Sequence, residues 1–130
     1  MELYKGIKGH DEVVVTEANV ARALGSGALP VFSTPSLIIS MERASLESVQ
    51  PYLGEGESTV GVELNVQHLA ATPIGMTVRF ESELVAIDGR MLLFEVEAYD
   101  ETGLVGKGTH KRCIVTEDRF MKKALSKLDK

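Results

Sequence analysis

A carboxylate, an imidazole and a hydroxyl are spaced along this 130-residue chain so that they could act together on a carbonyl group. The carboxylate, Glu42, lies in "STPSLIISMERASLESVQPYL", Ser33 to Leu53, whose apolar spacing is that of an amphipathic helix. At about 100° per residue, Leu37, Met41 and Ala44 define one side and Ile38, Ile39, Leu46 and Val49 widen the apolar arc. Ser40, Arg43 and Glu47 fill the opposite gap. Glu42 falls at about 140° from Leu37, between Val49 and Leu46, inside the arc. A carboxylate there must find partners or lose its charge, because desolvating an unpaired ion costs several kcal/mol. A partly open helix side or a structural ion pair would account for it, and so would use as a base or nucleophile.

His68 closes "STVGVELNVQH", in which Val60, Val62, Leu64 and Val66 share its parity while Gly61, Glu63, Asn65 and Gln67 take the other. A regular half-buried strand would carry the imidazole out from the core face, into the layer that the helix covers. Thr34 stands eight residues before Glu42, about two turns away on nearly the same side. Its ordinary role is that of an N-cap, with Pro35 at the first helical position. A helix N-terminus also offers free N–H groups and positive potential, which suit an oxyanion or an ester carbonyl oxygen.

Other constellations carry less. His10 and His110 have no Cys or His at metal-ligand spacing, and the sequence holds no zinc motif, phosphate loop or GxSxG elbow. Cys113 reads as a small buried apolar residue. The glycines of "GKGTH" imply a bulge or a close approach of a ligand or another backbone. Lys107, Lys111 and Arg112 form a local positive cluster that could hold a nucleotide phosphate, or be an ordinary solvated strand face.

The elements that must position these groups follow from period and punctuation. Glu12 to Thr16 is β-rich, Thr16 can cap a short helix "EANVARAL" ending at Gly25, and "GSGALP" is a loop. The long helix should stop near Gln50, because Pro51 disfavours helical geometry in the residue before it. From Ser58 the period changes to two: "TVRFESELVAI" and "MLLFEVEAYD" are strands joined through Asp88-Gly89, and "LVGKGTHKRCIV" follows the turn at "DETG". The tail "EDRFMKKALSKLDK" fits a short amphipathic helix or a frayed end. An antiparallel sheet wrapped around the long helix buries both apolar surfaces, which makes the chain a single α+β domain over residues 1–130.

At 44% hydrophobic and 25% charged residues the composition is that of a globular protein, without the roughly 20-residue apolar run of a membrane helix. The net charge of −5 argues against a nucleic-acid partner, whose phosphates call for a basic stripe. "MELYKGIKGHDEVVV" has no apolar stretch behind a basic cluster, and a single cysteine forms no internal disulfide, so a reducing cytoplasm is the expected compartment.

"VFSTPSLIISMERAS", "GEGESTVGVELNVQHLAATPIGMTV" and "VGKGTHKRCIV" together resemble the fluoroacetyl-CoA thioesterase-like branch of the hotdog-fold thioesterases, over about Val13 to Val115. The resemblance implies a long helix wrapped by an antiparallel sheet, paired as a homodimer, or further as a tetramer, with active sites at the subunit interface. It implies thioester hydrolysis of an acyl-CoA by a Thr, Glu and His set that maps onto Thr34, Glu42 and His68. Gly61 matches a glycine that lets the thioester carbonyl approach the backbone, and Lys111 and Arg112 are candidates for contacting CoA. No cofactor or metal is expected, with CoA entering as part of the substrate. The family's phenylalanine gate, six residues before the threonine, is replaced by Ala28, so a short or medium acyl-CoA is the expected substrate class rather than fluoroacetyl-CoA in particular. An acyl-CoA hydratase or dehydratase on the same fold, or a non-catalytic acyl-CoA binder, are the rival readings.

Overall fold

The computed structural model describes residues 2–129. In chain order they form β1 (Lys8–Val14), α1 (Ala21–Leu24), α2 (Thr34–Val49), β2 (Glu57–His68), β3 (Thr77–Asp88), β4 (Met91–Asp100), β5 (Gly103–Thr116) and α3 (Glu117–Leu125). The five strands make one antiparallel sheet in the order β1-β3-β4-β5-β2, curled about α2. Leu37, Met41 and Val49 of α2 are buried against Val78, Phe80 and Leu84 of β3, Leu92, Phe94 and Val96 of β4, and Val105 of β5. This is the expected α+β hotdog architecture. No helix among the described residues is long and apolar enough to cross a membrane.

The turns follow their local chemistry. Asp88 pairs with Met91 across Gly89-Arg90, and Gly89 takes φ 61°, a left-handed conformation a side chain would resist. At the β4–β5 turn, Asp100 Oδ1 accepts hydrogen bonds from the Thr102 and Gly103 amides. Gly25 ends α1 in the left-handed conformation, as expected, but α1 is shorter than "EANVARAL". Thr16 Oγ1 accepts from the Ala18 amide and Asn19 Oδ1 from the Thr16 amide, which folds these residues into a turn, and Val20 instead bridges to Phe32. The strand expected from Glu12 begins at Lys8, where pairing with Glu83 of β3 extends it. The C-terminal stretch forms α3, which buries none of its residues.

Three departures from regular expectation shape the site. First, the cap of α2 is Ser33, whose Oγ accepts from the Ser36 amide at 3.1 Å, and Thr34 is already helical. The shift of one residue frees the Thr34 hydroxyl. Ser33→Ala should therefore cost about 1 kcal/mol in urea unfolding, whereas Thr34→Ala, at an exposed position, should stay within about 0.5 kcal/mol; equal losses would contradict this division of roles.

Second, the inward side of α2 is rotated relative to the apolar arc. Ser40 and Ser45 are buried with Leu37, Met41 and Ala44, while Ile39 is 49% exposed. Small residues let β1 come close: a Cβ on Gly9 would lie 2.2 Å from the Ala44 carbonyl oxygen. Ser45 Oγ spends its proton on the Met41 carbonyl at 2.9 Å, so burying it leaves no unpaired hydroxyl. The flank carrying Ile38, Ile39, Glu42 and Leu46 is left at the border of the sheet.

Third, β2 is not regular. Its register against β5 shifts between Gly61 and Glu63, leaving Val62 as an extra residue, 50% exposed. The bulge inverts the parity, so Thr59 and Gly61 face the helix before it, and Leu64, Val66 and His68 after it. Val60 and Val62 are thus not on the face expected for them.

Candidate active site

Thr34 and His68 meet. Helix α2 begins where β2 ends, and the freed Thr34 Oγ1 lies 2.8 Å from His68 Nδ1. The other ring nitrogen, Nε2, is buried and without a partner among the described residues. Phe32 stands edge-on to the ring, centroids 6.5 Å apart. Both residues line a cavity of about 320 Å³ with Ala21, Ser26, Val31 and Phe32.

Glu42 belongs to a second cluster. Its side chain is 38% exposed, so the misplaced carboxylate is neither fully buried nor free in solvent. Its Oε2 lies 3.9 Å from Arg112 Nη1 and 2.9 Å from the point a Cβ would occupy on Gly61. A side chain at position 61 would press on the carboxylate, which is the physical reason glycine suits the strand there. Arg112 is 6% exposed and donates through Nε to Thr59 Oγ1 at 2.7 Å and through Nη2 to the Thr59 carbonyl at 2.9 Å. It also meets His110 Nε2 at 3.1 Å.

Eight residues of helix separate Thr34 from Glu42, a rise of about 12 Å. The Thr34–His68 pair and the Glu42–Gly61–Arg112 cluster are therefore two groups on one chain. The positive cluster also divides. Arg112 is buried beside Glu42, whereas Lys107 and Lys111 are exposed, with Lys111 Nζ 3.4 Å from Glu63. Alternation along β5 puts neighbours 111 and 112 on opposite faces. Cys113 is only partly buried, and the "GKGTH" glycines serve close packing: a Cβ on Gly108 would lie 2.2 Å from the Asn65 carbonyl oxygen, and one on Gly106 3.2 Å from Leu37. His110, read from the sequence only as lacking metal-ligand partners, and Thr59, which no sequence motif marks, both belong to the Glu42 surroundings; the signal available was the shared parity of His110 and Arg112 on one strand.

Burial pushes the imidazoles of both His68 and His110 below the ordinary histidine range. For His110 the Arg112 cation acts in the same direction, and the hydrogen bond to the Glu63 carbonyl against it. Both rings are neutral near pH 7. The unfolded chain takes up protons near pH 6.5 that the folded chain refuses until lower pH, so stability should fall on acidification through that window. Urea midpoints measured between about pH 7.5 and 5 should decline; a midpoint that rises would mean that the rings are charged in the fold.

The family model described as fluoroacetyl-CoA-specific thioesterase matches residues 15–118. The fluoroacetyl-CoA thioesterase of Streptantibioticus cattleyicolor is 38% identical over 97 residues, 75% of this chain and 70% of that protein. A crystal structure of a phenylalanine-to-alanine variant of the fluoroacetyl-CoA-specific thioesterase superposes with a TM-score of 0.91 at 32% identity, covering 98% of each chain. A thioesterase-superfamily member from Thermus thermophilus superposes at 0.88, with 30% identity and 97% and 93% of the two chains covered.

Proposed function

The chain belongs to the family of fluoroacetyl-CoA-specific thioesterases, and from that membership we propose that it hydrolyses a small or medium acyl-CoA to the free acid and CoA through Thr34, Glu42 and His68. The observation that carries the residue assignment is the 2.8 Å contact between Thr34 Oγ1 and His68 Nδ1, made with a hydroxyl that helix capping does not need. The thioester carbonyl lies at the N-terminus of α2, where the Thr34 hydroxyl and the helix dipole stabilise the oxyanion of the tetrahedral intermediate. Neutral His68 orients that hydroxyl and handles its proton. Glu42 supplies the attack, either directly, giving a mixed anhydride that water then opens, or by taking the proton of a water that adds to the carbonyl carbon. In both routes the C–S bond breaks and CoA leaves as its thiolate. No metal or resident cofactor is required, because a thioester is already electrophilic and a thiolate leaves readily. After a single turnover in isotopically labelled water, label in the Glu42 carboxylate marks an anhydride opened at the Glu42 carbonyl, whereas water adding at the acyl carbon labels only the product acid in either route.

The 12 Å rise between the two groups is bridged by pairing two copies. β2 is an edge strand whose outer side has no neighbour among the described residues, and the exposed Val62 and Ile39 flank that border. Symmetric pairing along this edge is antiparallel, which brings the helix flank bearing Glu42 of one chain toward the Thr34 end of the other. Each homodimer site then takes Thr34 and His68 from one subunit and Glu42 from its partner.

The test is thiol release by the purified chain from acetyl-, fluoroacetyl-, propionyl-, butyryl-, phenylacetyl- and longer acyl-CoAs. With Ala28 at the family's gate position, fluoroacetyl-CoA should not stand out from the other short substrates. Binding without release would favour an acyl-CoA binder, and hydration of an enoyl-CoA without thiol release a hydratase.

A further inference from the structure

His110 is 1% exposed on β5, between Leu64 of β2 and Phe94 of β4, and its ring packs on that of Phe94 with centroids 6.3 Å apart. Its two nitrogens have unlike partners. Nδ1 lies 2.9 Å from the Glu63 carbonyl oxygen, which can only accept, so Nδ1 carries the proton. Nε2 then presents a lone pair, and Arg112 Nη1 donates to it at 3.1 Å. That same Nη1 faces Glu42 Oε2 at 3.9 Å. Thr59 holds the other two guanidinium nitrogens, and His110 takes an Nη1 hydrogen as the third contact, so the rigid guanidinium plane is locked beside Glu42. Glu63 is also the first residue paired again after the bulge that turns Gly61 toward Glu42.

We propose that His110 is a positioning residue for the Glu42 carboxylate, holding Arg112 Nη1 beside it as the third contact on the guanidinium and pinning the β2 bulge through the Glu63 carbonyl. The proposal rests on the reading of Glu42 as the attacking group. His110 acts through its neighbours, since its ring is 1% exposed and its Cε1 lies beside Gly61, 3.3 Å from the point a Cβ would take there. It works only as the neutral tautomer with its proton on Nδ1. A second ring proton would set N–H against N–H and cation against cation at Arg112, and burial holds the ring in the neutral form.

Two variants separate positioning from bulk stability. Asparagine retains a donor near the position of Nδ1 but has no acceptor at that of Nε2, whereas glutamine reaches the latter with an oxygen. His110→Asn should lower kcat by about tenfold or more with KM within about twofold, and His110→Gln should recover part of the loss. In the wild-type chain, nitrogen-15 NMR should find His110 neutral and protonated on Nδ1, with the Arg112 Nη signals resolved by restricted rotation; in His110→Asn those signals should merge. Unchanged kcat in His110→Asn beside an inactive Glu42→Gln overturns the proposal and leaves the reading of Glu42 standing. A fall in kcat that tracks loss of thermal stability, and that glutamine does not relieve, also overturns it. If the wild-type chain releases no thiol, the functional reading fails separately, and merged Arg112 Nη signals in that chain overturn the positioning role on their own.

Discussion

Replacing Glu42 by glutamine should lower kcat for thiol release by about 10² to 10⁴, the usual worth of a positioned acid or base, with acyl-CoA binding largely retained. The substitution keeps the volume of the side chain and places an amide where the carboxylate faces Arg112 Nη1 at 3.9 Å, so the surroundings of Gly61 need not repack. What it removes is the charge that attacks the carbonyl or takes a proton from water. Glu42→Ala should lose a similar factor, because Arg112 still has Thr59 and His110 to receive its hydrogen bonds and the fold is not left with an unpartnered guanidinium. Steady-state kinetics with Tm measured in parallel makes the comparison. A kcat within a few-fold of wild type in both variants would sink the assignment of Glu42 and move attention to the Thr34–His68 pair as the whole catalytic apparatus.

Mixing two inactive chains should restore activity. If each site joins Thr34 and His68 of one subunit to Glu42 of its partner, Glu42→Gln and His68→Ala homodimers are both dead, but a mixed dimer holds one intact site and one doubly damaged site. Random reassortment makes half of the dimers mixed, so activity should return to roughly a quarter of wild type. The measurement is thiol release before and after the variants are unfolded and refolded together, with gel filtration establishing that dimers form. Recovery near zero from a preparation that is dimeric would place all three residues in one chain. Monomers that are active would remove the shared site altogether. The expectation follows from helix geometry, since no side-chain rotation closes a separation of about 12 Å along α2.

Local information was enough for most of the framework. Alternation marked the strands, Asp88-Gly89 and Asp100 marked the tight turns, and Pro35 and Pro51 bounded the long helix, because each depends on backbone preferences within a few residues. The cap was misassigned by one residue for an instructive reason. Ser33 and Thr34 are both good capping types, and only the demand of His68 for a hydroxyl partner, arriving from the far end of β2, separates their roles. The face of α2 was likewise rotated: hydrophobicity favours Ile39 for the interior, but Ser40 is buried instead, on the side where Gly9 packs against Ala44 and Ser48.

The site divides along the same line. Residue types and spacing marked Glu42 and His68 as candidates, because a polar group placed in an apolar pattern is visible in one dimension, and Thr34 became one by its place at the helix start. Parity also predicted the inward direction of His68, though for a reason that fails at Val62. The bulge inverts the alternation of β2, so Gly61 and His68, of opposite parity in sequence, both face the helix. The partners of these groups depended on the folded chain. Arg112 turned from a surface cation into the buried neighbour of Glu42, and His110 became its support, because strands far apart in sequence converge there. Side-chain patterns record what must be buried, whereas register and strand order decide which buried groups meet.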